Sequence, residues 1–400
     1  MFVQRTRHRA AIREVQARGM DTPCRFELIT ETYPPEINGV ALTVQSLHDG
    51  LRALGHDVGL VRPSRPEEAS DETSSLLRVD GAPVPRYPGM RFGMPSGRRL
   101  AARWAKNRPD AVYIATEGPL GWSALRAAKR LGIPASTGFH TRFDDYVARY
   151  GAAFLSPFVF SWLRRFHNRA DATLVPTREL VEQLSAQGFQ KVCRLGRAVD
   201  TERFNPSFRS NELRAQWGLS DGELAVIHVG RLAPEKNLPL LMRSFESLRA
   251  ERSTAKLILV GDGPARASLQ AQNPEVIFCG TLRGEALATH FASADLFCFP
   301  SLSETFGNVT LEAMASGLAT AAFDYGAARE HLIDGQHGAS VPFGNENAFV
   351  ERFLSVALDP QVSALGRSAR TAVEGLAPER VSRDFADLLI GLIHPVKRAA

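Results

Sequence analysis

The feature that most constrains this chain is an alternation, run through twice, of short apolar segments with segments of helical periodicity. In the first series, residues 24–30, 57–61, 111–115, 135–137, 172–175 and 191–195 read as strands, with helices between them. Residues 43–54, for instance, place apolar side chains at 44, 47, 51 and 54, a helical stripe closed by Gly55. The stretch 64–97 is rich in Pro, Gly and Ser and reads mostly as loop. A second series runs through strands at 224–229, 256–260, 276–279, 295–299 and 318–323. Strands alternating with helices form parallel sheets covered on both faces. With 400 residues the chain exceeds one ordinary core. The expectation is an α/β protein of two doubly wound, Rossmann-like domains, at 23–200 and 222–376, facing each other across a cleft. A basic extension (1–22), an interdomain connection (201–221) and a C-terminal helix (377–400) returning to the first domain complete it. Such sheets bind ligands beyond the carboxyl ends of their strands, so the cleft is the expected site.

Charge is divided between the halves. Residues 1–200 hold 29 Lys and Arg against 20 Asp and Glu, and the rest hold 19 against 23. A cationic first half suits an anionic partner, and a lipid surface or a nucleic acid would satisfy it equally. Cys24, Cys193, Cys279 and Cys298 form no Cys-x-x-Cys pair and are expected as buried, reduced thiols. The first 18 residues carry five arginines and no apolar core, unlike a secretory signal. No run approaches the ~18 apolar residues of a membrane span. The chain is expected to be cytoplasmic, resting at most on the inner face of a membrane.

Chemistry concentrates at strand ends of the second series. Residues 224–229 lead into Gly230-Arg231 and Glu235-Lys236-Asn237, which puts two cations past one strand. Residues 256–260 lead into Gly261-Asp262-Gly263-Pro264, a turn whose glycines let backbone approach closely. Residues 295–299 lead through Pro300-Ser301 to Glu304, and Glu312 follows eight positions later. The amides of Phe306, Gly307 and Asn308 then fall at a helix N-terminus, a favourable place for phosphate. Carboxylates accept hydrogen bonds from sugar hydroxyls, whereas guanidinium and ammonium groups neutralise phosphate. Taken singly, Glu312 reads more readily as a charge complementing the helix dipole, and a Gly-x-Gly turn as an ordinary connection.

This ordered set resembles the family-4 retaining glycosyltransferases of the GT-B fold, over residues 29 to about 376. Gly230-Arg231, Glu235-Lys236-Asn237, Gly261-Asp262-Gly263-Pro264, Pro300-Ser301, Glu304, Phe306-Gly307, 311–315 and Gly317 carry it. The resemblance implies that Arg231 and Lys236 bind a donor diphosphate, Glu312 the ribose hydroxyls, and Glu304 a hydroxyl of the donor sugar. In the first half, 35–40 looks like the family's glycine loop, with Gly39 under the donor phosphates. Residues 137–143 look like its histidine segment, with His140 at the reacting sugar. The chain departs from the pattern at Asn38-Gly39, at Gly317-Leu318-Ala319, and at Gly326-Ala327-Ala328-Arg329-Glu330, where members have Gly-Gly, Gly-Leu-Pro and a glycine pair.

The implied reaction is hexosyl transfer with retention, from a GDP-mannose or UDP-hexose type of donor. No Asp-x-Asp occurs in the chain, so cations of the protein rather than a bridging metal are expected to stabilise the leaving diphosphate. Neither a metal nor a cofactor is expected, and front-face attack by the acceptor is favoured over a covalent intermediate. The segment 151–167 combines aromatic with basic residues, as an interfacial helix does, and equally as a helix packed into a core. With the cationic first half and a resemblance to the mannosyl- and glycolipid-forming branch, it points to a lipid-linked hydroxyl acceptor, of diacylglycerol or phosphatidylinositol type, at an anionic membrane surface. A soluble saccharide acceptor is the alternative. A Rossmann dehydrogenase would need a Gly-x-Gly-x-x-Gly that is missing, and a nucleic-acid module would need clustered arginines, whereas these are dispersed along the chain.

Overall fold

The computed structural model describes residues 23–36, 38–65, 68, 73–83, 91–140 and 156–394. The chain divides into two compact units, residues 1–196 with 378–400, and 197–377.

Unit 1 contains β1 (Arg25–Ile29), β2 (Asp57–Pro63), β3 (Leu76–Val79), a small antiparallel pair β4 (Gly81–Pro83) and β5 (Arg91–Gly93), then β6 (Ala111–Ile114), β7 (Ala135–Gly138), β8 (Ala172–Val175) and β9 (Val192–Arg194). Seven strands form one parallel sheet in the order β3-β2-β1-β6-β7-β8-β9. Its inner strands are buried on both faces, as helices on either side of a parallel sheet require. Glu27 in β1 is a carboxylate within this sheet, only 4% exposed. Arg103 Nε (2.7 Å) and Trp104 Nε1 (2.6 Å) donate to it, and its register partner is Gly59, whose missing side chain leaves the room. Burial raises the Glu27 pKa and Arg103 opposes that rise. The last helix, Pro378–Ile393, belongs to this unit: Phe385 packs edge-on against Tyr113 of β6, with centroids 5.0 Å apart.

Two expectations change here. The stretch 64–97 is not all loop, since Leu76–Val79 adds an edge strand to the sheet. Its four residues are too few to show a period among Pro, Gly and Ser. Of the cysteines, only Cys298 is buried; Cys24, Cys193 and Cys279 are partly exposed, and all four are free thiols.

Unit 2 contains β10 (Ala225–Val229), β11 (Lys256–Val260), β12 (Ile277–Gly280), β13 (Leu296–Phe299), β14 (Ala319–Phe323) and β15 (Gly338–Val341), all parallel, in the order β12-β11-β10-β13-β14-β15. Alternate side chains feed two cores. Ile227, Val229, Phe297 and Phe299 face one side; Val226, Leu259, Leu296 and Cys298 face the other. The stretch 201–221 is part of this unit rather than a connection. Phe204, Trp217 and Leu219 are buried in its core, and Arg214 reaches Asp295 at 3.0 Å. In both sheets the strand order reverses beside the first strand, between β1 and β6 and between β10 and β13. Loops leaving such neighbours diverge to opposite sides and open a crevice.

Candidate functional site

In unit 2 the crevice between the ends of β10 and β13 brings together Lys236 and Glu304, two of the residues singled out from the sequence. Lys236 leaves a short 3₁₀ turn (Pro234–Lys236) after β10, and Glu304 follows β13. Lys236 Nζ and Glu304 Oε1 form an ion pair across the crevice, with side chains 14% and 17% exposed. Ser301, fully buried, fixes the carboxylate with a 2.9 Å hydrogen bond from its hydroxyl. Tyr325 in turn donates to the Ser301 carbonyl at 2.9 Å. The Lys236 ammonium also stands 5.1 Å from the centroid of the Phe299 ring. Arg231 stands exposed, with no ion-pair partner among the described residues. The end of β10 therefore carries one committed cation, Lys236, and one exposed cation, Arg231.

Gly261 and Gly263 lie in the adjacent loop and serve first to let it meet the Arg231 loop. A Cβ on Gly261 would fall 1.9 Å from the Gly230 carbonyl oxygen, and one on Gly263 2.4 Å from that of Leu232. Leu232 N–H donates to Asp262 O at 2.9 Å, stitching the two loops together. Loop packing thus accounts for both glycines.

The helix Asn308–Ala315 begins at Gly307, which caps it at φ 91°, a left-handed value that favours glycine. No side chain caps this end. The Phe306 ring is buried, and its carbonyl accepts from Ala327 N–H at 2.7 Å. Gly326 is needed there, since a Cβ would sit 2.5 Å from that oxygen. Glu312 is the fifth residue of the helix, beyond the first turn, so dipole compensation is not its role. Its carboxyl has no hydrogen-bond partner among the described residues, and burial pushes its pKa up to about 7, against the pull of Arg203. Glu312 is half-buried, and a partly desolvated carboxyl without a partner among the described residues gains from a ligand that supplies donors.

His228 on β10 escaped the sequence reading because it sits within an apolar strand. It is fully buried, its ring stacked on Phe299 with centroids 5.8 Å apart. Its Nδ1–H donates to the Cys298 carbonyl at 3.0 Å, so Nε2 is left as an acceptor, and it has no partner among the described residues. Burial lowers its pKa to about 4. A Cβ placed on Gly230 would lie 3.6 Å from both this nitrogen and Lys236 Cε, so an uncharged acceptor lies close to the lysine.

In unit 1, Gly39 is exposed as the first residue of the helix Gly39–Ala53 beyond β1, with Asn38 as cap accepting from Ala41 N–H at 2.8 Å. His140, just past β7, is 8% exposed, and its Nε2 lies 2.7 Å from Tyr113 Oη. Gly138 makes room for that contact, since a Cβ there would fall 2.2 Å from the same oxygen. Behind it, Thr137, His167 and Glu117 form a buried chain at 2.8 and 3.2 Å. Glu31 fills the start of the helix Pro119–Leu131, accepting from Leu120 N–H at 3.0 Å. Ile37, Thr141, Arg142, Phe143 and residues 151–155 lie outside the described residues. Among the described residues no cluster of His, Cys, Asp and Glu could hold a metal ion.

Known proteins are similar to this chain over most of its length. Residues 37–203 match the family model Glycosyltransferase Family 4, and residues 223–359 match Glycosyl transferases group 1. A GDP-mannose-dependent alpha-mannosyltransferase of Mycobacterium tuberculosis is 35% identical over 325 residues, covering 80% of this chain and 84% of that protein. An alpha-monoglucosyldiacylglycerol synthase of Streptococcus pneumoniae is 30% identical over 309 residues, covering 73% and 69%. The solved structure of sucrose-phosphate synthase from Thermosynechococcus elongatus shares the fold with a TM-score of 0.74 at 19% identity, covering 93% of this chain and 100% of that one. The architecture is that of a GT-B glycosyltransferase. Within that class, the chain belongs to glycosyltransferase family 4.

Proposed function

We propose that the chain transfers a hexosyl group, mannose from GDP-mannose, to a hydroxyl of a lipid-linked acceptor of diacylglycerol or phosphatidylinositol type, with retention at the anomeric carbon. The observation that carries the donor reading is the Lys236–Glu304 pair across the β10/β13 crevice, beside the open start of the 308–315 helix. As the glycosidic C–O bond breaks, charge grows on the diphosphate. Arg231, Lys236 and the amides of Phe306, Gly307 and Asn308 supply a preorganised positive potential for it. Glu304, released from Lys236, accepts from a hydroxyl of the sugar, and Glu312 accepts from the ribose diol. Gly261 and Gly263 border the nucleotide. From the resemblance, Gly39 lies under the donor phosphates and His140 at the reacting sugar. Transfer then proceeds by front-face attack of the acceptor hydroxyl.

The mannosyltransferase relative supports the donor, and the diacylglycerol-linked relative supports a lipid acceptor. UDP-glucose is the second donor reading, favoured by the glucosyl lipid named for the latter. No helix among the described residues is long and apolar enough to cross a membrane. On this proposal the acceptor is met at a membrane surface on the cytoplasmic side. The test is transfer of label from GDP-mannose, UDP-glucose and UDP-galactose to a lipid extract or to soluble sugars by the purified protein. Label entering lipid from GDP-mannose supports the proposal; label entering only soluble sugar, or none from any donor, sinks it.

A further inference from the structure

Dispersed in sequence, the arginines of unit 1 converge in the fold. The helices Gly97–Lys106, Pro119–Leu131 and Ser156–His167 border a pocket of about 950 Å³. Arg98, Arg126, Arg130, Arg165 and Arg169 line it, and none has an acidic partner among the described residues. Arg99, also in the wall, is engaged within the chain, and Asp80 is the one acid there. Such an excess of like charge around one cavity is unfavourable until an anion enters.

The pocket is also aromatic. Trp122 and Trp162 face each other with centroids 5.7 Å apart, and the guanidinium groups of Arg126 and Arg169 lie 5.8 and 5.2 Å from the Trp122 ring centroid. Cation–π attraction to Trp122 holds these two guanidinium groups near the ring, and a guanidinium fork matches a phosphate. The Trp122 indole N–H is buried without a partner, one more donor unused by the protein. On the helix Ser156–His167, Phe158 (74% exposed) lies one turn before Trp162 (42%), with Arg165 next on the same face. Two large exposed apolar side chains in line with arginines are what a membrane interface takes up.

We infer that this pocket binds the phosphate of an anionic glycerophospholipid, with Phe158 and Trp162 entering the interfacial layer, so that unit 1 docks on the membrane through a site separate from the donor crevice of unit 2. A channel tracking single-stranded nucleic acid uses the same residue types. The exposed Phe158–Trp162 pair, in line with Arg165 on one helix face, favours the lipid. This docking deepens the lipid-acceptor reading. Because binding is measured without donor or turnover, its failure leaves the donor chemistry standing.

The test is co-sedimentation of the full chain with phosphatidylcholine vesicles, with and without phosphatidylglycerol. One variant carries Arg98→Gln, Arg126→Gln, Arg165→Gln and Arg169→Gln; a milder one carries only Arg130→Gln and Arg165→Gln in case the first fails to fold. Each arginine near an anionic leaflet contributes roughly fivefold in partitioning (about 1 kcal/mol). The chain should prefer anionic vesicles, the fourfold variant should lose at least about tenfold, and the twofold variant a part of that. A control removing Arg243, Arg249 and Arg352 of unit 2, and another removing Arg5, Arg7, Arg9 and Arg13, should retain most binding. Equal loss in either control, unchanged binding in both pocket variants, saturation by soluble glycerol phosphate without vesicle binding, or displacement from vesicles by an oligonucleotide at the same arginines would overturn the inference.

Discussion

Replacing Glu304 by Gln separates the two things its carboxylate does. In the unliganded chain it holds Lys236, and during transfer, on the proposed reading, it holds a sugar hydroxyl. Two unit charges ~4 Å apart interact by about 4 kcal/mol at an effective dielectric of about 20. Partial exposure and the cost of ordering the lysine reduce the net value to about 1 kcal/mol. Glutamine keeps the shape and one acceptor, and frees the ammonium. GDP, which lacks the mannosyl group that Glu304 would hold, should therefore bind Glu304→Gln unchanged to about tenfold more tightly. Loss of a charged hydrogen bond to the sugar, about 1.5–3 kcal/mol, lowers kcat/KM with GDP-mannose by about 10- to 100-fold. Titration calorimetry with GDP and label transfer, run on the same preparation, give both numbers. GDP affinity falling together with turnover would mean that Glu304 builds the diphosphate site itself, and unchanged turnover would remove it from the sugar site. Either result refutes the division of labour.

Three further outcomes follow from the geometry. Arg231→Ala, which removes an exposed cation with no ion-pair partner among the described residues, should weaken GDP and GDP-mannose alike by about tenfold in calorimetry. Glu312 has a folded-state pKa of about 7 against its ordinary 4.5, so the folded chain binds more protons between these values and Glu312 costs stability progressively as pH rises through that window. Glu312→Gln should therefore raise the melting temperature at pH 8 and not at pH 4, while abolishing the gain in nucleotide affinity that wild type shows as Glu312 ionises. Gly366→Ala would drive a Cβ to 2.0 Å from the Gly317 carbonyl oxygen, beneath the 308–315 helix, and should lower stability by about 2 kcal/mol or more in urea unfolding.

The alternation of apolar and helical segments made the two parallel sheets legible, because a buried parallel strand is apolar throughout and a glycine or charged loop marks its end. Lys236 and Glu304 were legible as strand-end residues, and their sharing of one crevice followed from the order of the sheet. Leu76–Val79 was hidden because four residues carry no readable period and their flanks look like loop. Phe204 and Trp217 were hidden among polar neighbours, although isolated aromatics in a polar stretch are themselves a sign of burial. His228 gave no signal, since its meaning lies in a neighbour 70 residues away. The arginine pocket is of the same kind: its side chains span positions 98 to 169 on separate helices, and only packing brings them together.

The most direct test is a structure of the chain with GDP-mannose bound. The diphosphate should contact Arg231, Lys236 and the amides of residues 306–308, with the ribose diol on Glu312 and a mannose hydroxyl on Glu304. A nucleotide seated elsewhere, or in the crevice with Glu304 still paired to Lys236, would contradict the account.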